Sequence, residues 1–291
     1  GDVEAKDLSF YKIGAFSHTS DHKIAAIAED KNGSEIYQIR FRDLDEGRDL
    51  ADVLLNASGD VEWAEDGKTL FYTVLDESHR PSKVMRHILG TDSADDVEVF
   101  EETDPGFFIG LSKTESRRYL LIDNHDHQTS EVWLIPSDKP DTAPALIAAR
   151  EPGVEYSVSE RDGKLIILTN ADGAVDFKLV TTSIDAPSRE NWQDLIPHTL
   201  GKLIVTAGVF ADYLVRLERV NALPQINIRN WETLKEETIS FEEEAYALGL
   251  EGGYEFKSDV LRMSYSSPTT PRQVFDYNMQ TGIRTLLKQD E

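Results

Sequence analysis

The chain has 291 residues, 54 of them acidic and 30 basic, for a formal net charge of −24, and it contains no cysteine. Such a negative surface repels a polyanion, so nucleic acid is excluded as a partner; it attracts cations, basic peptides included, although solubility alone accounts for the same charge. Disulfides, thiolate-bound zinc and a cysteine nucleophile are excluded. No apolar run approaches the roughly 18–20 residues of a membrane-spanning helix, and no basic-plus-apolar leader opens the chain, which makes a cytoplasmic setting the expectation.

Tight polar turns lead into apolar strands at Lys23, Lys68, Arg117, Lys164, Asp212 and Asp259, a spacing of 45–49 residues. A period of this size, with strands and no helical pattern inside it, predicts an all-β fold, a β-propeller of antiparallel four-stranded blades. The first unit (11–56) runs from Ile13 through 23–30 and 34–44 to a strand around Val53. The second (57–104) centres on 69–76 and 84–89, and the third (105–150) on 118–124 and 130–136.

The fourth unit (151–198) shows the physics in full. LIILT (165–169) is too apolar for a half-exposed strand and too short for a helix, so it reads as a strand covered on both faces. Asn170, Asp172 and Gly173 then supply a reversal, 175–181 alternates, and a fourth strand falls around Trp192 to Ile196. The fifth unit (199–242) centres on 213–220 and 225–230, the sixth (243–291) on 260–265 and 272–278. First strands are expected near Phe16, Val61, Ile109, Val154, Ile204 and Leu248. Six sheets with two apolar faces each must stack to bury them, and no linker divides the chain, so one domain is expected.

The residues offer little chemistry. No G-x-S-x-G elbow is present, GLSKT (110–114) having Thr114 in place of the second glycine; no P-loop or dinucleotide fingerprint occurs either. Ser17-His18 and Ser78-His79 read as turn residues. His125-Asp126-His127 could offer imidazoles to a metal, but it lies in a hairpin without a third ligand and reads as a solvated loop. No catalytic residue, metal or cofactor is therefore assigned. Trp63, Trp133, Phe71 and Tyr72 read as packing aromatics. Asp76, Glu77, Asp123, Asp126 and Asp172 fall in or beside loops joining second and third strands, which the fold would gather at one end; ordinary turn formation explains most acids in such places.

Several long phrases carry a resemblance. REPGVEYSV (150–158), ILTNADGAVDFKLV (167–180), SRENWQDLIPH (188–198), FIGLSKTESRRYLLI (108–122), YSSPTTPRQVFDYNMQTG (265–282) and the closing LLKQDE (286–291) resemble oligopeptidase B, or protease II, of the prolyl oligopeptidase family of serine peptidases. That resemblance spans essentially the whole chain. It implies a seven-bladed propeller capping an α/β-hydrolase domain with a Ser-Asp-His triad, cleavage of short peptides after Lys or Arg, and six of the seven blades here with the hydrolase absent. Partners would be that hydrolase domain and short basic peptides. It also implies that loops between second and third strands face the hydrolase, which makes Asp76, Glu77, Asp123 and Asp126 candidates for steering a basic peptide. A free-standing propeller scaffold fits the repeats but not the phrases, and a metal enzyme with its ion in the propeller channel lacks a ligand set.

Overall fold

A computed structural model describes residues 5–239, 241, 243–252 and 255–291. The expected unit boundary at residue 242 lies outside them. Two compact units are present, 1–153 and 154–291.

In the first unit, β1 (Lys12–His18), β2 (Ile24–Asp30), β3 (Tyr37–Asp43), β4 (Arg48–Trp63), β5 (Thr69–Leu75), β6 (Pro81–Ile88) and β7 (Val97–Glu101) form one antiparallel seven-stranded sheet in chain order. The sheet of β8 (Phe108–Lys113), β9 (Tyr119–His125), β10 (Ser130–Pro136) and β11 (Ala145–Ala148) completes it. The second unit holds three four-stranded sheets: β12 (Tyr156–Arg161) to β15 (Gln193–Ile196) by way of β13 (Lys164–Thr169) and β14 (Lys178–Ser183); β16 (Lys202–Val209), β17 (Tyr213–Val220), β18 (Leu223–Asn230) and β19 (Glu236–Ile239); and β20 (Ala247–Leu250), β21 (Val260–Ser266), β22 (Gln273–Asn278) and β23 (Arg284–Gln289). Helix is confined to three single 3₁₀ turns among the described residues.

The all-β, propeller-like architecture of antiparallel sheets agrees with the sequence reading, but among the described residues five sheets stand where six separate ones are expected. The difference lies in β4. Its first part pairs with β3, its last part with β5, and Ala57 faces Tyr37 on one side and Val74 on the other. Asn56 and Gly59 take positive φ, 60° and 107°, as residues of a reversal would. Here they produce register shifts that turn a continuing strand from one neighbour to the next. The first strands otherwise fall where expected: Phe16 is in β1, Val61 in β4, Ile109 in β8, Ile204 in β16 and Leu248 in β20, while Val154 sits two residues before β12.

Both faces of the central strands are buried, and the period of two decides which core each residue joins. Leu70 and Tyr72 of β5 enter a core with Ala26, Ile39, Phe41, Val61 and Trp63. Phe71 between them points the opposite way, to Val84, Ile109, Leu120, Ile122 and Ile135. In the second unit Leu214 packs with Ile166, Leu179, Ile204 and Val209, and Val215 and Leu217 pack with Ile226, Leu261, Met263 and Tyr277. Each such buried side chain contributes about 1.5–3 kcal/mol relative to exposure. The Trp63 indole donates to Ser17 O at 3.2 Å, which satisfies its one polar atom. Trp63, Phe71 and Tyr72 are thus packing residues.

Candidate functional site

Asp76 directly follows β5, and its carboxylate is occupied by its own turn. Oδ1 accepts from Ser78 N at 2.8 Å and Arg80 N at 3.0 Å, and Oδ2 pairs with Arg80 Nε at 3.0 Å. The hydrogen bond from Arg80 N, with the guanidinium beside it, holds this carboxyl below the usual range. Glu77 next to it is exposed. Asp126 opens the β9–β10 turn, its Oδ1 accepting from Gln128 N and Thr129 N at 2.7 Å each, and those bonds lower its pKa. Asp123 differs. It lies inside β9, half-buried, with Ser112 Oγ donating to Oδ2 at 2.9 Å, and burial pushes its carboxyl up.

A polar cluster that sequence reasoning missed brings these loops together at one end of the first unit. The Arg80 guanidinium reaches the carbonyl oxygens of Phe107 at 2.7 Å, Glu102 at 3.3 Å and Asp104. Arg150 lies 4.0 Å above the Phe107 ring and pairs with Glu102 and, at 3.3 Å, with Glu131. Burial pushes the Glu102 carboxyl up, but hydrogen bonds from Asn124 and Arg150 outweigh it and the net shift is downward. Gly153 N donates to Thr129 Oγ1 at 3.1 Å and closes the β9–β10 turn onto the end of the unit. Arg150 falls in the family-like phrase at 150–158, the one signal that could have found it; partners 19 and 48 residues away could not be read.

Two further carboxyls stand on β4. Asp60 and Glu62 are half-buried and burial pushes both up, with Lys113 and Arg117 pulling Glu62 the other way. Burial pushes the Lys113 ammonium down, against its partner Glu65 at 3.0 Å. His125 and His127 are exposed, flanking the turn at Asp126, and among the described residues no group of three metal-ligating side chains assembles.

The arrangement is a loop end whose arginines and carboxylates pair with one another. A profile described as "Prolyl oligopeptidase, N-terminal beta-propeller domain" matches residues 2–290. The chain belongs to that family. It is 35% identical over 96% of its length to dipeptidyl aminopeptidase BI of Pseudoxanthomonas mexicana, covering 39% of that protein. Protease 2 of Moraxella lacunata is 31% identical over 98% of this chain, with 41% of the relative covered. The structure of oligopeptidase B from Trypanosoma brucei with covalently bound antipain, in its closed form, superposes with a TM-score of 0.92 at 28% identity, covering all of this chain and 42% of that one. The chain therefore corresponds to the propeller part of oligopeptidase B-like serine peptidases and spans about two fifths of the relatives it matches.

Proposed function

We propose that this chain is the substrate-filtering propeller of a cytoplasmic, oligopeptidase B-like serine endopeptidase that cleaves short peptides after Lys or Arg. The chemistry would reside in a separate α/β-hydrolase domain. In this reading residues 1–291 make one propeller domain of six blades bounded at about 11–56, 57–104, 105–150, 151–198, 199–242 and 243–291, with β4 shared between the first two. The observation that carries the reading is the likeness to oligopeptidase B along the full chain, at a TM-score of 0.92. A bound peptide would meet the loop acids Asp76, Glu77, Asp123 and Asp126. Glu77 carries most of the steering, because Asp76 and Asp126 are spent on their turns and Asp123 is half-buried.

The likeness to a dipeptidyl aminopeptidase, at 35% identity, supports a second reading in which the same propeller serves an exopeptidase. Both are tested with fluorogenic arginyl peptides, one N-acylated and one with a free amino terminus, given to the full gene product and to residues 1–291 alone. The endopeptidase reading expects the full product to cleave the acylated peptide and the isolated chain to cleave neither. Cleavage of the free peptide alone favours the exopeptidase, and cleavage by the isolated chain that survives a serine-directed inhibitor overturns both.

A further inference from the structure

One hydrogen bond recurs along the chain. The residues just before β2, β5, β9, β13, β17 and β21 are Lys23, Lys68, Arg118, Gly163, Asp212 and Asp259. Each accepts at its carbonyl oxygen, at 2.7–3.0 Å, from the backbone N–H that follows β3, β6, β10, β14, β18 or β22. The position is therefore equivalent in every repeat, yet it is basic three times, glycine once and acidic in the last two. A turn that forms equally well on lysine, arginine or glycine does not require a carboxylate, so turn chemistry leaves Asp212 and Asp259 unexplained.

Both acids border one cavity of about 550 Å³ in the second unit, together with Tyr213, Asn230, Trp231 and Glu232. It lies at the end opposite the second-to-third-strand loops. Asp212, Glu232 and Asp259 are exposed, and among the described residues no hydrogen bond or ion pair engages the Asp212 or Asp259 carboxylate. Arg161, the cation on this wall, is already committed. It pairs with Asp162 at 3.1 Å, donates from Nε to Ala211 O at 2.7 Å, and stands 5.1 Å from the centre of the Trp231 ring.

Tyr213 adds an independent sign. It is 7% exposed and lines the same cavity. Burial, and after it the charges of Asp259 and Asp212, raise its pKa against the pull of Asn230, so the phenol keeps its proton beside both carboxylates. Asn230 Oδ1 is occupied by Glu232 N, Thr233 N and Thr233 Oγ1 at 3.1, 2.8 and 3.0 Å, which leaves its amide nitrogen to face the phenol. The phenol oxygen can accept from that amide. Its own proton has no acceptor among the described residues, an arrangement that buried hydroxyls rarely keep.

These features select a ligand. The charge excludes anions. Calcium takes six to eight oxygens, whereas no three metal-ligating side chains converge among the described residues. A guanidinium matches carboxylates through its fork of N–H donors. The phenol proton asks for a neutral acceptor on the same molecule, which a polyamine lacks and a peptide carbonyl supplies.

We propose that this cavity binds an arginyl residue of a peptide, with the guanidinium held by Asp212 and Asp259 and a backbone carbonyl oxygen accepting from Tyr213. The site stands on the cavity alone, and its test reads binding, not cleavage. The 291-residue chain is titrated with N-acetyl-arginine amide, its neutral citrulline analogue, ethylguanidinium, spermidine and calcium chloride, following the Trp231 indole and the amides of 212, 213 and 259 by NMR. Saturable shifts with the arginine amide are expected, at least roughly tenfold weaker with the citrulline amide and weakened by salt. Asp212→Asn with Asp259→Asn should weaken binding about tenfold or more. Tyr213→Phe should weaken the arginine amide severalfold and leave ethylguanidinium, which has no carbonyl, unchanged. The comparison of the two amides needs no variant, so it stands if a variant folds poorly. Absent saturation, equal affinity for the two amides, or binding untouched by the asparagine changes overturns the proposal. Displacement of the arginine amide by lower concentrations of spermidine or calcium assigns the cavity to another cation and overturns it too.

Discussion

Arg80 Nε lies 3.0 Å from Asp76 Oδ2, so one of the four acids proposed to steer a basic peptide already carries its own cation. Glu77, one residue on, is exposed and outside that pair. Adjacent carboxylates therefore stand in different surroundings, and under the proposed steering role substitution should separate them. Glu77→Lys should lower kcat/KM of the full-length enzyme for a dibasic peptide severalfold at low ionic strength, with the loss fading as salt screens the charge and kcat unchanged. Asp76→Ala should instead lower stability modestly, through loss of the Arg80 pair and of the acceptor for two turn amides, with little salt dependence. Urea unfolding and kinetics at two salt concentrations check both. The steering role fails if Glu77→Lys matches wild type at low salt.

Tyr37 occupies the space that two glycines leave open. A Cβ on Gly14 would fall 2.4 Å from Tyr37 Cε1, and one on Gly59, where φ is 107°, 3.4 Å from Cε2. Gly14→Ala should destabilise the first unit by about 1–3 kcal/mol, because the ring is buried among Ala57, Leu54 and Val61 and has little room to retreat. Combining it with Tyr37→Leu should cost less than the sum of the two single changes, since both act on the same contact. Additive thermal denaturation shifts would show that the backbone, not the ring, sets the cost.

Local patterns made most strands legible. LIILT at 165–169 carries its two-sided burial in its composition, and the structure places it within β13 with Leu165, Ile166 and Ile167 buried. β4 was not legible in the same way, because Asn56 and Gly59 adopt the same left-handed backbone whether a chain reverses or bulges, and only the partners on either side decide. The loop acids were legible as turn formers, as Asp126 shows. The Arg150 cluster was not, because its charges meet only through pairing of β9 with β10 and the approach of the segment after β7.

Asp123 supplies a pH test of the opposite sign to that of an ordinary paired acid. Burial raises its folded-state pKa above the unfolded value of about 3.9, so the folded protein binds the proton more tightly. Its contribution to stability is most favourable at low pH and is lost as pH rises through the folded pKa. Asp123→Asn keeps the shape and can still bond Ser112, and it should stabilise the chain by roughly 1 kcal/mol at pH 7 while the gain shrinks toward pH 4. The depressed Glu102 behaves the other way, contributing above its unfolded pKa and losing that contribution as pH falls through the folded value. Chemical denaturation at several pH values measures both. An Asp123→Asn gain that grows on acidification would contradict the assigned cause.

Arg216 and Glu218, both almost wholly buried in β17, are joined by an Nε–Oε1 bond of 2.8 Å. Arg216 reaches Glu236 at 3.2 Å, and Glu218 Oε2 accepts from Asn227 at 2.7 Å and Lys202 at 2.8 Å. Two charges have been taken out of water here, and the cost of doing so is offset only while every partner stays in place. Arg216→Met should therefore cost about 3–5 kcal/mol, more than a typical core truncation of Leu217, because it strands Glu218 with the single half-buried Lys202 as counter-charge. Adding Glu218→Leu should recover much of that loss by removing the uncompensated acid, provided Lys202 swings out to water. Equilibrium unfolding of the single and double variants decides the matter. If Arg216→Met is no worse than Leu217→Ala, the network is solvated in solution, and the polar face of β17 stabilises the second unit by shape and not by charge.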